Sequence, residues 1–343
     1  MLTRSISAMI GWHSDPHQAR TRASPNRRIS RNARVQPTRP EAEGRTGQQP
    51  QSEKAGKHLL EEQAEWARNR GLTLQGSEGK RGVPAYTLRL EDNLFEPMSD
   101  EARHEIASGD GTELAGDPCK MQAVHSSSAL GVNLFHYWKR IGRLDPVLRA
   151  CGLPSEGTRT LHFERKMPVA SKEYRQVFPK PPNLDLVVDY GRGASIAAVG
   201  IECKFTEPFS GPHEGLKPAY LDHRHLWAGL PSCRALAERI EPVDHHFRYL
   251  DAAQLLRHLL GLRNNCGDGR YRLLYLYSDA PGEPGTHHAM EIEEFRRIAA
   301  MDGIRVQTAT VQAIVASLVE QRLEQDKAYV DYSAGRYGSA RSL

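Results

Sequence analysis

Pro182-Asn183-Leu184-Asp185, continued by Leu186-Val187-Val188-Asp189-Tyr190 and followed some ten residues on by Ile201-Glu202-Cys203-Lys204-Phe205, decides how this chain folds. The segments 184–190 and 195–205 are apolar and rich in β-branched residues. The connection Gly191-Arg192-Gly193-Ala194 is a turn signal, so the pair reads as a β-hairpin. A symmetric hairpin centred between Gly193 and Ala194 sets Asp185 opposite Glu202. Strand side chains alternate between faces, so Asp185, Glu202 and Lys204 share one face. Leu184, Leu186, Val188, Ile201, Cys203 and Phe205 point to the other. The reading predicts one core face and one charged face. A slip by one residue would bury three charges, which fixes the register.

Two carboxylates directly across a strand pair lie about 5 Å apart, repel each other, and are relieved by a shared cation. A small set of hard oxygen ligands suits Mg²⁺, which keeps several waters and binds through one or two carboxylates plus substrate phosphate. Such an ion polarises a phosphate and lowers the pKa of a water, and Lys204 is placed to orient that water or to stabilise developing negative charge. The plainer alternative is a half-exposed hairpin with an ion pair on its wet face. Glu-x-Lys triplets are common. The acid at the mirror position and the apolar flanks are what set this one apart.

Leu184-Asp185 together with Glu202-Cys203-Lys204 resembles the PD-(D/E)xK nuclease superfamily, which has the restriction-endonuclease-like fold. Pro181-Pro182-Asn183-Leu184-Asp185 and Ile201-Glu202-Cys203-Lys204-Phe205-Thr206-Glu207-Pro208 are similar to one prokaryotic branch of it, as are Gly109–Leu114 and Ser126–Asn133 upstream. The resemblance covers residues 85–320. It implies metal binding by Asp185 and Glu202, with the Cys203 carbonyl as a further ligand, and a catalytic role for Lys204. It implies Mg²⁺, with Mn²⁺ as an alternative, DNA as substrate, and a restriction or defence role. Homodimers, common among restriction-like enzymes, are an option for this chain. The proline that usually precedes the first acid is displaced here to Pro181 and Pro182.

The full chain of 343 residues is long enough for one large domain or two small ones. Residues 1–56 carry a local net charge of +6 against +4 for the whole, leaving −2 for the remainder. That stretch is rich in Arg, Ser, Pro, Gln and Gly, has no helical or strand period, and reads as a disordered basic tail. Such a tail either adds non-specific phosphate affinity or is inert. No run of apolar residues is long enough to span a membrane, and residues 1–10 lack the apolar core of a secretory signal. The five cysteines are scattered and never spaced C-x-x-C, which fits a reducing cytoplasm and excludes a zinc ribbon or a disulfide framework. There is no Walker loop and no G-x-S-x-G elbow.

Along the chain, helices are expected over 58–70, 99–108, 127–151 (broken near Gly142 or Pro146), 231–240, 249–262, 291–301 and 311–325. Strands are expected over 159–165, 184–190, 196–205, 272–277 and 304–309. This order predicts an α/β fold with a mixed central sheet flanked by helices, matching the αβββαβ core of the restriction-endonuclease-like fold. The division is a tail (1–56), an N-terminal extension (57–110), a nuclease-like domain (111–325) and a flexible C-terminal tail (326–343).

Further candidates are weaker. Glu164 precedes the hairpin on a neighbouring strand and is positioned to join the metal shell, or else is an edge charge. Glu113 is the nearest acid to the long helix, whose first turns hold none. On the helix 250–262, Leu255, Leu256, Leu259 and Leu260 form one stripe, with Gln254, Arg257, His258 and Gly261 on the opposite face. Gln254 and His258 resemble the Q-x-x-x-Y motif of RecB-like nucleases, with His in place of Tyr. Gln254 would bond a water or phosphate and Arg257 would hold phosphate, unless this is simply a solvated face. Arg165, Lys166, Lys172 and Arg192 are candidate groove cations. Two rival functions remain: a nucleic-acid-binding module that has lost catalysis, and a hydrolase built on His223, His225, His245 and His246.

Overall fold

The computed structural model describes residues 51–77, 81–155, 157–174 and 176–338; of the basic tail, residues 1–50 fall outside them. The chain opens with α1 (Gln51–Asn69), whose first residues had been assigned to the tail, and an antiparallel pair β1 (Leu74–Ser77) and β2 (Arg81–Thr87). Next come α2 (Asp100–Ala107), α3 (Ser127–Arg140) and α4 (Asp145–Ala150). Ser99 and Ser126 cap α2 and α3 by accepting the Ala102 and Ala129 amides. The break between α3 and α4 falls at Gly142, as the sequence indicates.

A meander follows: β3 (Arg159–Lys166), β4 (Asn183–Tyr190) and β5 (Ala198–Lys204), antiparallel in that order. After α5 (Pro218–Asp222) and α6 (Pro231–Arg239), α7 (Ala252–Cys266) crosses to β6 (Tyr271–Tyr277), which pairs parallel with β5. A parallel partner needs such a crossover, and a helix is the usual one. The next helix, α8 (Glu283–Met301), leads to β7 (Val306–Thr310), parallel to β6, and α9 (Val311–Glu320) and α10 (Lys327–Tyr337) close the chain. The sheet order β3-β4-β5-β6-β7 gives the mixed central sheet flanked by helices that the sequence predicts.

Both faces of this sheet are covered. On one, Leu130, Leu134 and Trp138 of α3 pack with Leu186, Val188, Ile201 and Cys203. On the other, Leu255, Leu259 and Leu262 of α7 pack with Val187, Ala198, Leu273 and Tyr275. Each such leucine contributes about 1.5–3 kcal/mol by leaving water. The expected wet, charged face therefore does not exist, and residues 198–203 of β5 are all buried. Leu184 also departs from the expected alternation. It joins the α7 side, where its side chain lies over Gly200, a position with no room for a Cβ between Leu184 and Leu262.

The C-terminal segment read as a flexible tail is part of the core up to Gly338. Tyr329 donates to the Leu134 carbonyl at 2.9 Å, and Asp326 accepts from Tyr137 at 2.9 Å. Buried Arg336 donates to the Asn93 carbonyl (2.7 Å), the Asn93 side chain (2.6 Å), the Gln63 side chain (3.0 Å) and the Val124 carbonyl (3.1 Å). The expected division at residue 110 likewise cuts one core, since Leu90 and Ile106 belong to the same cluster as Leu130. Arg336→Ala strips these acceptors of their donor inside the protein. It is expected to lower unfolding free energy by about 3 kcal/mol, measured by urea denaturation monitored by tryptophan fluorescence.

Candidate active site

The β4–β5 ladder runs from Asp189↔Ala198 to Leu186↔Ile201, the register read from the sequence, and stops there. One step further, the strands part. The Asp185 side chain fills the place of the missing backbone partner, its Oδ2 accepting the Cys203 amide at 2.7 Å. On the other side of β4, Phe163↔Leu186 and Arg165↔Leu184 are paired, and Glu164 lies between them across from Asp185. Glu164 has φ +50°, a left-handed backbone unusual for a residue with a long side chain. Strain of this kind costs about 1–3 kcal/mol and gathers at functional sites. Its buried carboxylate accepts from the Asn183 amide group. Gly109 lies directly against it: a Cβ there would stand 2.7 Å from Glu164 Oε2.

Glu202 is buried on the α7 side, with Lys204 donating to its Oε1. Burial drives the Glu202 carboxyl above its usual pKa, and the Lys204 charge offsets part of this. Asp185 is pushed well up by burial, then by Glu202 and Glu164. Glu164 rises to about 7 through burial and the neighbouring charge of Glu113. For Lys204, burial alone would lower the pKa, but Glu202, Asp185 and Glu207 outweigh it and hold the ammonium charged. A single lysine thus faces several crowded acids.

The structure brings together Asp185, Glu202, Lys204 and Glu164, with Glu113 close enough to raise Glu164 and itself 3.6 Å from Lys120. The Cys203 thiol points into the α3 core near Gly131, while its amide serves Asp185. Gln254 is half-buried at the start of α7, and its side chain forms no hydrogen bond among the described residues. The plainer alternative of a solvated α7 face does not hold for two of its four residues: His258 is 1% exposed and Gly261 lies against Met167 and Pro182, while Gln254 and Arg257 are half-buried. Two of the expected groove cations are paired, Arg165 with Asp189 and Lys166 with Asp110. The four histidines do not form a centre. His223 and His225 pack against Tyr174, whereas His246 bonds Glu294 at 2.7 Å and His245 is exposed. Sequence reasoning passed over Asn183, and no periodicity marks it. Its only signal is its place two residues before the acid.

Among the described residues no group of three or more His, Cys, Asp or Glu side chains is gathered into a ready metal cage. What is present suits a hard, partly hydrated ion that few protein ligands hold. Glu202 Oε2 is buried and has no hydrogen-bond donor. His258 Nδ1 stands 3.4 Å from it, but burial, Lys204 and Arg257 push that imidazole down to about 3, so it is neutral and the contact is no ion pair. An unmatched carboxylate oxygen among mutually repelling acids is the donor chemistry of a cation site. A cavity of about 10 Å³, room for one water, adjoins Asp185 and Glu164 beneath Ser128 and Gly131. The larger hollow of about 960 Å³ over α8 contains none of these acids.

Glu164 provides a pH test. Its folded pKa of about 7 lies above the usual carboxylate value of 4.5, so the folded state holds the proton that the unfolded state releases. Its stabilising contribution is full below pH 4.5 and is lost as pH rises to 7. In EDTA, the melting temperature is expected to fall between pH 5 and pH 8, and Glu164→Gln to flatten that fall, as followed by circular dichroism.

No curated protein and no solved structure matches this chain. A family model does match, over residues 59–338, and its description is restriction endonuclease associating with ARP. The match takes in α3, the five-stranded sheet, the crowded acids of β3–β5 and the closing helix α10. With most of its length covered, the chain belongs to this restriction-endonuclease family.

Proposed function

We propose that this protein is a divalent-metal-dependent nuclease that hydrolyses phosphodiester bonds in DNA, in a restriction or defence role, and that Asp185, Glu202 and Lys204 carry the chemistry. The observation that carries this reading is the meeting of Asp185, Glu202, Glu164 and Lys204 where β4 parts from β5, with one buried carboxylate oxygen lacking a donor. A structural ion pair needs one acid for one lysine. The surplus acids repel one another, and a bound cation would relieve that repulsion.

Asp185 and Glu202 would hold Mg²⁺ or Mn²⁺, with the Cys203 carbonyl and Glu113 as further contributors. When bound, such an ion supplies Lewis acidity to the scissile phosphate and to the attacking water. The chain's own groups do the rest. Lys204, kept charged by its acidic neighbours, orients the attacking water and stabilises the charge that develops on the phosphate. Glu164, with its pKa near neutrality, is suited to exchange a proton with that water. Gln254 at the start of α7 offers an amide to phosphate or water. Arg257, half-buried and without an ion-pair partner among the described residues, lies near enough to Glu202 to affect its charge, and would anchor a neighbouring phosphate.

Purified protein with plasmid DNA and Mg²⁺ or Mn²⁺ is expected to cut, and EDTA to stop it. Asp185→Asn keeps an acceptor for the Cys203 amide, and Lys204→Ala removes the ammonium. Each is expected to lower the cleavage rate by at least about 10²-fold with unchanged circular dichroism. Cleavage by Asp185→Asn at the parent rate would sink the assignment.

A further inference from the structure

His258 occupies a position that needs explaining. It lies in the middle of α7 with 1% of its surface exposed. Its Nδ1 has no hydrogen-bond partner, and the charged atom facing it is Glu202 Oε2 at 3.4 Å, itself without a donor. The tautomer that carries its proton on Nε2 presents a lone pair at Nδ1, and the carboxylate presents another. Two buried acceptors facing each other leave both unsatisfied.

A metal ion resolves this arrangement. Two ligands at about 2.1 Å from one ion, at 90–110° to each other, are separated by roughly 3.0–3.4 Å. The observed 3.4 Å falls within that range. Asn183, whose backbone lies near the ring, donates its side-chain amide to Glu164, so the imidazole and the acids of the site are neighbours.

We propose that His258 Nδ1 and Glu202 Oε2 are two ligands of one divalent ion, and that the nitrogen ligand biases this site toward Mn²⁺ or another first-row transition metal over Mg²⁺. This rests on the nuclease reading of the same site and adds the identity of its ion. Mg²⁺ demands hard oxygen ligands, whereas imidazole suits the transition series. Oxygen ligands, water and substrate phosphate among them, would complete the coordination.

The test uses the unaltered chain with Mn²⁺ alone as probe. Pulsed electron paramagnetic resonance of bound Mn²⁺ is expected to show a ¹⁴N coupling of histidine type. That coupling disappears in His258→Gln, and calorimetric titration of the variant shows Mn²⁺ affinity falling by about 10- to 100-fold while Mg²⁺ affinity changes little. Binding of Mn²⁺ that depends on Glu202, with no nitrogen coupling, overturns this inference and leaves the nuclease reading standing. An absence of any Glu202-dependent binding overturns both. Because the spectroscopic reading is made on the parent protein, it does not depend on the variant folding.

Discussion

A side chain takes over from a strand at Asp185. Up to Leu186↔Ile201, backbone groups satisfy one another across β4 and β5. At the next step the Cys203 amide finds a carboxylate instead. An amide left unpaired in this interior would be costly, so the acid is bound into the architecture of the sheet. The consequences spread outward. β4 diverges, Leu184 turns to the α7 side, Glu164 adopts a left-handed backbone opposite, and the acids come together in the gap. The same carboxylate stabilises the sheet locally and contributes to an unfavourable concentration of charge.

That double role explains the electrostatics. Burial is the largest influence on Asp185, Glu202 and Glu164 alike, and it pushes each toward the protonated form. Lys204 relieves Glu202 directly and Asp185 at a distance. A fold selected for stability alone would replace such a group by apolar residues, which commonly do as well or better. The chain that carries this arrangement belongs to a restriction-endonuclease family.

Much of this was legible in the sequence because it depends on local rules. The turn at Gly191–Ala194 and the alternation of the flanking strands fix the pairing arithmetic, and the order of elements gives the mixed sheet. What was not legible depends on packing from afar. Nothing in 184–205 reveals that α7 covers the charged side, so the acids read as exposed when they are enclosed. The burial of His258 and Gly261 was not legible because a helical wheel reports only one element, whereas Met167 and Pro182 arrive from a loop. The left-handed Glu164 breaks the strand rule at one residue. The final helix was missed because Tyr329, Val330, Tyr332 and Tyr337 are interspersed with charges, one of which, Arg336, is itself buried.

The contact between Gly109 and Glu164 has a consequence for how variation is tolerated. Residue 109 is confined by another residue's carboxylate and not by its own torsion angles, so the constraint belongs to the pair. An alanine at 109 should be eased by retracting the acid one methylene, as aspartate at 164 would do, with the Cβ of residue 164 still 3.1 Å away. The two positions would then behave in a library as linked sites, each substitution harmful alone and milder in company. Such coupling would expose, through sequence variation alone, that the loop after α2 presses on the end of the sheet where the acids gather.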